Sequence, residues 1–311
     1  MSAPTIALVV PAYNASRFLP ELFTTVREQT EPFDEVIVVD DASSDDTLGI
    51  AESLGATVVR HERNAGCSAA KNTGLAAVRS DWVHFHDSDD LLHGEFAARA
   101  RRRVGSGTFD ALLFEWEHRD GATGALIATS RLDRARVVVD PVAYMLENTV
   151  NNIGAYRVAS VRSVGGFSGE PDVLFNEDRA FHLALACSGA KFEVESYVGS
   201  TTRQWSNSMS QGAAVKCLLA NAAITERYLD ANPGKHDLAC ARQLWHVASG
   251  LASWLQWPDA HRLVSRASAL GLSTDPGARS WFGRLSALSP HLALRLREYS
   301  IRLVRPHLRR R

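Results

Sequence analysis

Along the first 115 residues, short apolar runs that stop abruptly in polar residues alternate with segments whose apolar positions recur every three or four places. The runs at 6–10, 35–39, 57–60, 82–86 and 111–115 have the length and β-branched content of buried strands. Between them, 16–29, 46–54, 67–78 and 92–104 carry helical periodicity. Strands separated by crossovers of this length pair in parallel, so the pattern predicts an α/β domain with a mostly parallel sheet and helices on both faces. Ligands of such sheets bind just beyond the carboxyl ends of the strands. From 116 onward the pattern loosens, punctuated by Val164-Gly165-Gly166-Phe167 and Ser168-Gly169. Beyond 212 the strand signals vanish, and helical spacing at 215–229, 238–255 and 260–270 is broken by Asn232-Pro233-Gly234, Trp257-Pro258 and Asp275-Pro276-Gly277. We therefore expect one domain over 1–211, with halves at 1–115 and 116–211, followed by a helical region over 212–311.

Composition narrows the function classes. With 34 basic and 35 acidic residues the formal net charge is −1, which gives no footing for nucleic-acid binding. Cys67, Cys187, Cys217 and Cys240 are too far apart for a C-x-x-C motif and too few for a disulfide framework, so a reducing, cytoplasmic compartment is expected. The apolar run at 6–10 falls short of the ~7–15 residues of a signal-peptide core, and no stretch reaches the ~20 apolar residues of a membrane span. The last 17 residues carry seven Arg against Glu298, +6 formally, interleaved with Leu296, Ile301, Leu303 and Val304. Two readings stand for this tail: peripheral contact with anionic lipid at the inner face of a membrane, or a solvated helix end whose Arg suit the dipole.

The chemistry concentrates where the strands end. Pro11-Ala12-Tyr13-Asn14 follows the first strand, Asp40-Asp41-Ala42-Ser43 the second and Asp87-Ser88-Asp89-Asp90 the fourth, so three polar loops converge on one rim. Carboxylates at alternate positions beyond a buried strand can hold a divalent cation; alone, they equally form a polar turn in which Asp90 caps a helix starting at Leu91. An EF-hand loop starting at Asp87 fails, because His93 and Ala98 stand where ligands are required. A phosphatase D-x-D-x-T/V signature fails at Leu91. His61, His84 and His86 lack ligand spacing and read as packing or hydrogen-bonding residues.

Four segments in order, Val9-Val10-Pro11-Ala12-Tyr13-Asn14, Val38-Val39-Asp40-Asp41-Ala42-Ser43-Ser44-Asp45-Asp46-Thr47, Asn64-Ala65-Gly66-Cys67-Ser68-Ala69-Ala70-Lys71-Asn72-Thr73-Gly74 and Phe85-His86-Asp87-Ser88-Asp89-Asp90, resemble the inverting glycosyltransferases of family 2. The resemblance covers roughly 5–210, tightly as far as Asp90. It implies a GT-A fold and metal-dependent transfer of a sugar from a nucleotide diphosphate donor, UDP-sugar first among them, to an acceptor hydroxyl of a glycan, lipid-linked or other glycoconjugate, as in surface polysaccharide synthesis. By the same resemblance Pro11, Ala12, Tyr13 and Asn14 hold the nucleoside and Asp41 accepts from the base imide. Asp87 and Ser88 lie against the donor, and Asp89, with Asp87, holds Mn²⁺ or Mg²⁺. Lys71 departs from the family's usual Arg, keeping the charge and losing the bidentate fork.

In the second half, Phe175-Asn176-Glu177-Asp178-Arg179 resembles the family's Glu-Asp motif, with Asp178 as candidate base and Glu177 as second choice. Without the upstream motifs, both would read as first-turn acids favoured by the helix dipole. The segment Arg203-Gln204-Trp205-Ser206-Asn207-Ser208-Met209-Ser210 resembles the loop that closes over the substrates, with Arg203 against the diphosphate and Trp205 against a sugar ring. A non-catalytic nucleotide-sugar-binding protein and a nucleotidyltransferase are the alternatives; the second normally has a basic, Gly-rich phosphate loop where Pro11-Ala12-Tyr13-Asn14 stands.

Overall fold

A computed structural model describes residues 3–205, 213–274 and 280–309. Ser206, Asn207, Ser208, Met209 and Ser210 of the expected closing loop lie outside the described residues, as do Arg310 and Arg311 of the basic tail. The chain forms two compact units, Met1–Pro141 with Val150–Gly169 and Glu177–Gln211, and Val142–Thr149 with Glu170–Asn176 and Gly212–Arg311.

The first unit is built on a nine-stranded sheet. Its strands are β1 (Ile6–Ala12), β2 (Glu35–Asp40), β3 (Thr57–Arg60), β4 (Trp82–Phe85), β5 (Leu91–Leu92), β6 (Ala111–Asp120), β7 (Leu126–Ser130), β8 (Gly154–Arg157) and β9 (Phe192–Gln204). The order is β3-β2-β1-β4-β8-β6-β9-β5, with β7 paired to β6 outside that path. The helices of its first half are α1 (Leu19–Arg27), α2 (Thr47–Ser53), α3 (Cys67–Ala77) and α4 (Phe96–Ser106).

The expected parallel sheet holds for β3-β2-β1-β4. Beyond β4 it turns mixed: β8 runs antiparallel to β4 and β6, β9 parallel to β6, and β5 antiparallel to β9. The expected parallel order thus covers the first half, and the sheet as a whole is mixed because β8 and β5 meet antiparallel partners far from them in the sequence. All seven residues of β1 are buried, as an interior parallel strand requires. Helix α3 lies close on this strand at Gly74, where a Cβ would stand 2.3 Å from a Val9 methyl.

The helix expected from residue 92 begins at Phe96 instead. Leu91 and Leu92 pair with β9, and the Asp90 carboxylate accepts from the Arg203 amide rather than capping a helix. Two ladder pairs with β9 outweigh the weak helical preference of the segment. The rest of the unit holds α5 (Arg134–Val139), α7 (Val158–Ser163) and α8 (Glu177–Cys187), with α6 (Pro141–Glu147) between the first two.

The second unit is helical: α9 (Ala214–Ala231), α10 (Asp237–Ser253), α11 (Trp257–Ala269), α12 (Ser280–Leu288) and α13 (Pro290–Val304). Helix α10 is its centre, burying Ala241, Leu244, Trp245, Ala248 and Leu251, and Trp245 donates its indole N–H to the Leu272 carbonyl at 2.8 Å. Pro258 and Pro290 open α11 and α13, where a missing N–H costs no helical bond. Among the described residues no helix is long and apolar enough to cross a membrane.

Candidate active site

The carboxyl ends of β1, β2 and β4 open onto one cleft of about 430 Å³. Its wall includes Pro11, Ala12 and Tyr13 after β1, Asp41 after β2, Gly66, Cys67 and Ala70 at the start of α3, Asp87, Ser88 and Asp89 after β4, and Glu177 at the start of α8. Five segments thus meet, although 166 positions separate Pro11 from Glu177 in the sequence.

The rim after β1 and β2 is locked by hydrogen bonds. Asn14 (φ 49°) and Ala42 (φ 60°) both adopt the left-handed conformation, which Asn tolerates and Ala does not favour. The Asn14 amide donates to Ser43 Oγ at 2.9 Å, and the Ser44 amide donates back to Asn14 Oδ1 at 2.9 Å. Asn14 therefore braces the rim from outside the cleft wall. Tyr13, 53 % exposed, stands at its mouth.

Asp41 is buried and already engaged. Its Oδ1 accepts from the Ala65 amide at 2.8 Å and lies 2.6 Å from His61 Nδ1; its Oδ2 accepts from the Gly66 amide at 2.8 Å. His61 Nε2 in turn meets Thr73 Oγ1 at 2.8 Å. A carboxylate offers about four lone-pair sites, so one acceptor position on Oδ2 is left for an incoming N–H or O–H.

Lys71 sits at the centre of the acids. Its ammonium, 1 % exposed, lies 2.9 Å from Asp178 Oδ1, 3.5 Å from Glu177 Oε1 and 3.7 Å from Asp87 Oδ1, and 4.9 Å over the Phe167 ring. Burial alone would lower its pKa, but Asp178 and the other acids hold it well above the ordinary value. Lys71 is not among the residues of the cleft wall and sits instead in a three-carboxylate cradle directly behind it. Asp178 is held from its other side by the Asn152 amide, which donates to Oδ2 at 3.2 Å. Burial pushes the Asp178 carboxyl upward, the Lys71 charge opposes this, and Asp87 adds to it. Glu177 is raised in the same way, burial first.

Asp89 is pushed up to about 6 by burial and by the charge of Asp87. Arg203, expected on the diphosphate, donates through Nε to the Asp89 carbonyl and pairs with Glu21, and it lies 5.6 Å over both the Phe18 and Trp205 rings. Trp205 packs on Phe18 at 5.4 Å, and its indole fills the space a Cβ on Gly121 would need. Trp205 is absent from the cleft wall, whereas Phe18 is on it.

Whether these residues suit a divalent ion can be tested on their chemistry. Asp87 and Asp89 are mutually repelling, and the second is also disfavoured as an anion by burial, a strain that a cation relieves. Among the described residues no group of three or more His, Cys, Asp and Glu side chains is arranged to hold an ion. Two carboxylates would fit only an ion that takes its remaining oxygens from phosphate and water.

Sequence reasoning passed over Asn72, Phe167 and Asn152. Asn72 clamps the Gly166-Phe167 turn, donating from Nδ2 to the Phe167 carbonyl and accepting the Phe167 amide, both at 2.8 Å. Phe167 stacks on Phe181 at 4.3 Å, which fixes the first turns of α8 below Lys71. The Gly165-Gly166 pair, both with positive φ, was the available signal, since such a turn permits a close approach.

Residues 7–159 match the profile "Glycosyl transferase family 2". EpsJ, an uncharacterized glycosyltransferase of Bacillus subtilis (strain 168), is 31% identical over 111 residues, 34% of this chain and 32% of that protein. The poly(ribitol-phosphate) beta-N-acetylglucosaminyltransferase TarS of Staphylococcus aureus is 26% identical over 208 residues, 64% of this chain and 36% of TarS. These matches span about a third of the length of each relative. Among solved structures, S. aureus TarS 1–349 in complex with UDP-GlcNAc superposes with a TM-score of 0.72 at 22% identity, covering 96% of this chain and 92% of that one. The mannosyltransferase PcManGT from Pyrobaculum calidifontis, in complex with GDP-Man and Mn²⁺, gives 0.58 at 18% identity over 96% and 88%. With four motif segments on one rim, a GT-A fold and the profile match, residues 7–159 of the chain belong to glycosyl transferase family 2, a family of enzymes.

Proposed function

We propose that this protein transfers a sugar, with inversion, from a nucleoside diphosphate sugar to an acceptor hydroxyl. The observation that carries the reading is the meeting of Tyr13, Asp41, Asp87, Asp89 and Glu177 around one cleft, with Asp178 behind Glu177 on Lys71. Tyr13 and the free acceptor site of Asp41 suit a base and its imide, and UDP is the nucleotide we favour, as in the TarS complex. Asp87 and Asp89 would hold Mn²⁺ or Mg²⁺, an ion that supplies charge neutralisation on the departing diphosphate when bound.

The chain's own part is to bring acceptor oxygen and anomeric carbon together and to take a proton. Asp178 Oδ receives the acceptor's hydroxyl proton as the new C–O bond forms, while the old C–O bond breaks and its electron pair leaves on the diphosphate. Lys71 keeps Asp178 ionised and aimed, and the upward push of burial brings its pKa nearer to working pH, where a base is most effective. The acceptor is proposed to be a glycan or lipid-linked hydroxyl, at the cytoplasmic side of a membrane.

The test is thermal unfolding of the full chain with UDP, UDP-GlcNAc, GDP and GDP-mannose, each with and without MnCl₂. A ligand bound only by the folded state raises Tm, by an amount corresponding to about 2.7 kcal/mol at 100 times its Kd. We expect a rise with UDP and UDP-GlcNAc that grows with Mn²⁺. Failure of every nucleotide to shift Tm under either condition would end the proposal.

A further inference from the structure

Behind the turn that follows β4 there is a second, small space of about 10 Å³, room for a single water-sized sphere. Its wall includes His86, Asp87, Asp90, Asn152, Ser200 and Thr202. This space is polar to an unusual degree. Asn152 is 93 % buried, and neither Nδ2 nor Oδ1 of its amide has a hydrogen-bond partner among the described residues. Ser200, fully buried, leaves its hydroxyl without a partner among them as well.

The histidines supply a third demand. His84 Nδ1 lies 2.8 Å from the Gly154 carbonyl, which can only accept, so that nitrogen carries the proton. His84 Nε2 is then a lone pair, and His86 Nδ1, 3.1 Å away, donates to it. His86 Nε2 is consequently a lone pair too, buried and with no donor among the described residues. One small space is thus lined by residues that carry an unmatched histidine acceptor, an unmatched serine hydroxyl and both unmatched ends of an amide. Leaving such groups unmatched is costly, and they are satisfied in folded proteins by ordered water where space allows.

The backbone of the same Asn152 donates to Asp178 Oδ2. We propose that this cavity binds one water molecule joining Asn152 to His86 and Ser200, and that Asn152 so anchored is a positioning residue for Asp178. The water donates one proton to His86 Nε2 and the other to an oxygen of Ser200 or Asn152, and accepts from the Asn152 amide or the Ser200 hydroxyl. With its side chain tied down, Asn152 keeps its N–H on Oδ2, while Lys71 keeps Oδ1. The carboxylate is then fixed in rotation and cannot turn its basic oxygen away. This inference rests on Asp178 being the proton acceptor of the proposed transfer.

Two measurements on the full chain decide it. A crystal structure at a resolution that shows ordered solvent is expected to place one density peak within hydrogen-bond reach of Asn152 and His86; a cavity without density overturns the water. Hydrolysis of UDP-GlcNAc, with water as acceptor, gives kcat alongside a UDP titration. Asn152→Ala is expected to lower kcat tenfold or more with the UDP Kd within twofold and Tm within a few degrees, and Asn152→Ser, which returns a hydroxyl to the cavity, to recover part of the loss. Wild-type kcat in Asn152→Ala, in the face of an inactive Asp178→Asn, overturns the positioning role. Activity in Asp178→Asn overturns the base assignment instead, and leaves the water to be judged by its density.

Discussion

The two units bury different things. The first encloses charge: Asp40, Asp41, Lys71 and Asp90 are all nearly sealed from solvent, each beside the rim or directly behind it. The helical unit encloses chiefly Ala, Leu, Val and Trp and leaves its ion pairs outside, as in Arg227–Asp172, Arg262–Glu226 and Arg266–Asp230. Its buried acid, Glu298, is bracketed by Arg302 and Arg309. Taking an ion out of water costs roughly several kcal/mol after relaxation, so a fold gains nothing from doing so repeatedly unless the charges act. The distribution marks the first unit as the one under chemical selection and the second as held by packing.

The sharpest way to break this comparison is Asp178→Asn. It is expected to lower kcat by about 10²–10⁴-fold, the usual worth of a positioned base, with the UDP Kd nearly unchanged by calorimetry; retained turnover would show that the buried acids are ornamental to the reaction. Next comes Lys71→Met. Removing one partner of a buried pair costs up to about 3–5 kcal/mol, less here because Asp178 and Asp87 still reach solvent, and denaturant unfolding measures it. The same substitution deletes the charge that lowers the Asp178 pKa. The carboxyl then titrates higher, so the acid limb of the kcat–pH profile must move to higher pH; a move to lower pH contradicts the cradle.

Packing and surface charge give smaller effects. Gly74→Ala forces a methyl against Val9 and should cost about 1–3 kcal/mol, the range for an overfilled core, as read from the urea midpoint. Arg266→Ala in the helical unit should cost no more than about 1 kcal/mol, as exposed pairs do. A larger loss at Arg266 than at Gly74 would reverse the contrast.

Much of this was legible in the sequence where a residue's role depends on its own strand. Strands β1 to β4 and their polar ends follow from apolar runs and crossovers, and so does the placing of Tyr13, Asp41 and Asp87–Asp89 on a single rim. What was not legible depends on partners far along the chain. The two residues of β5 look helical until β9, more than 100 positions later, offers them a ladder. That Lys71 is paired with Asp178, 107 residues on, at 2.9 Å could not be read from its own segment. Arg203 and Trp205 carried a signal of chemistry, but their contacts with Glu21, Phe18 and Gly121 were not readable from it. Asn152 gave no signal, since nothing near it in the sequence shows that its backbone N–H meets Asp178, 26 residues on.

The Asn14–Ser43–Ser44 brace has one further consequence. Two loops, each with a non-glycine residue at positive φ and tied to each other through Asn14, Ser43 and Ser44, leave the rim few alternative shapes. Its ordering entropy was spent during folding, so the nucleoside proposed to bind there would meet a finished mould, and its binding heat capacity should track the apolar area it covers, without a contribution from a loop that folds around it.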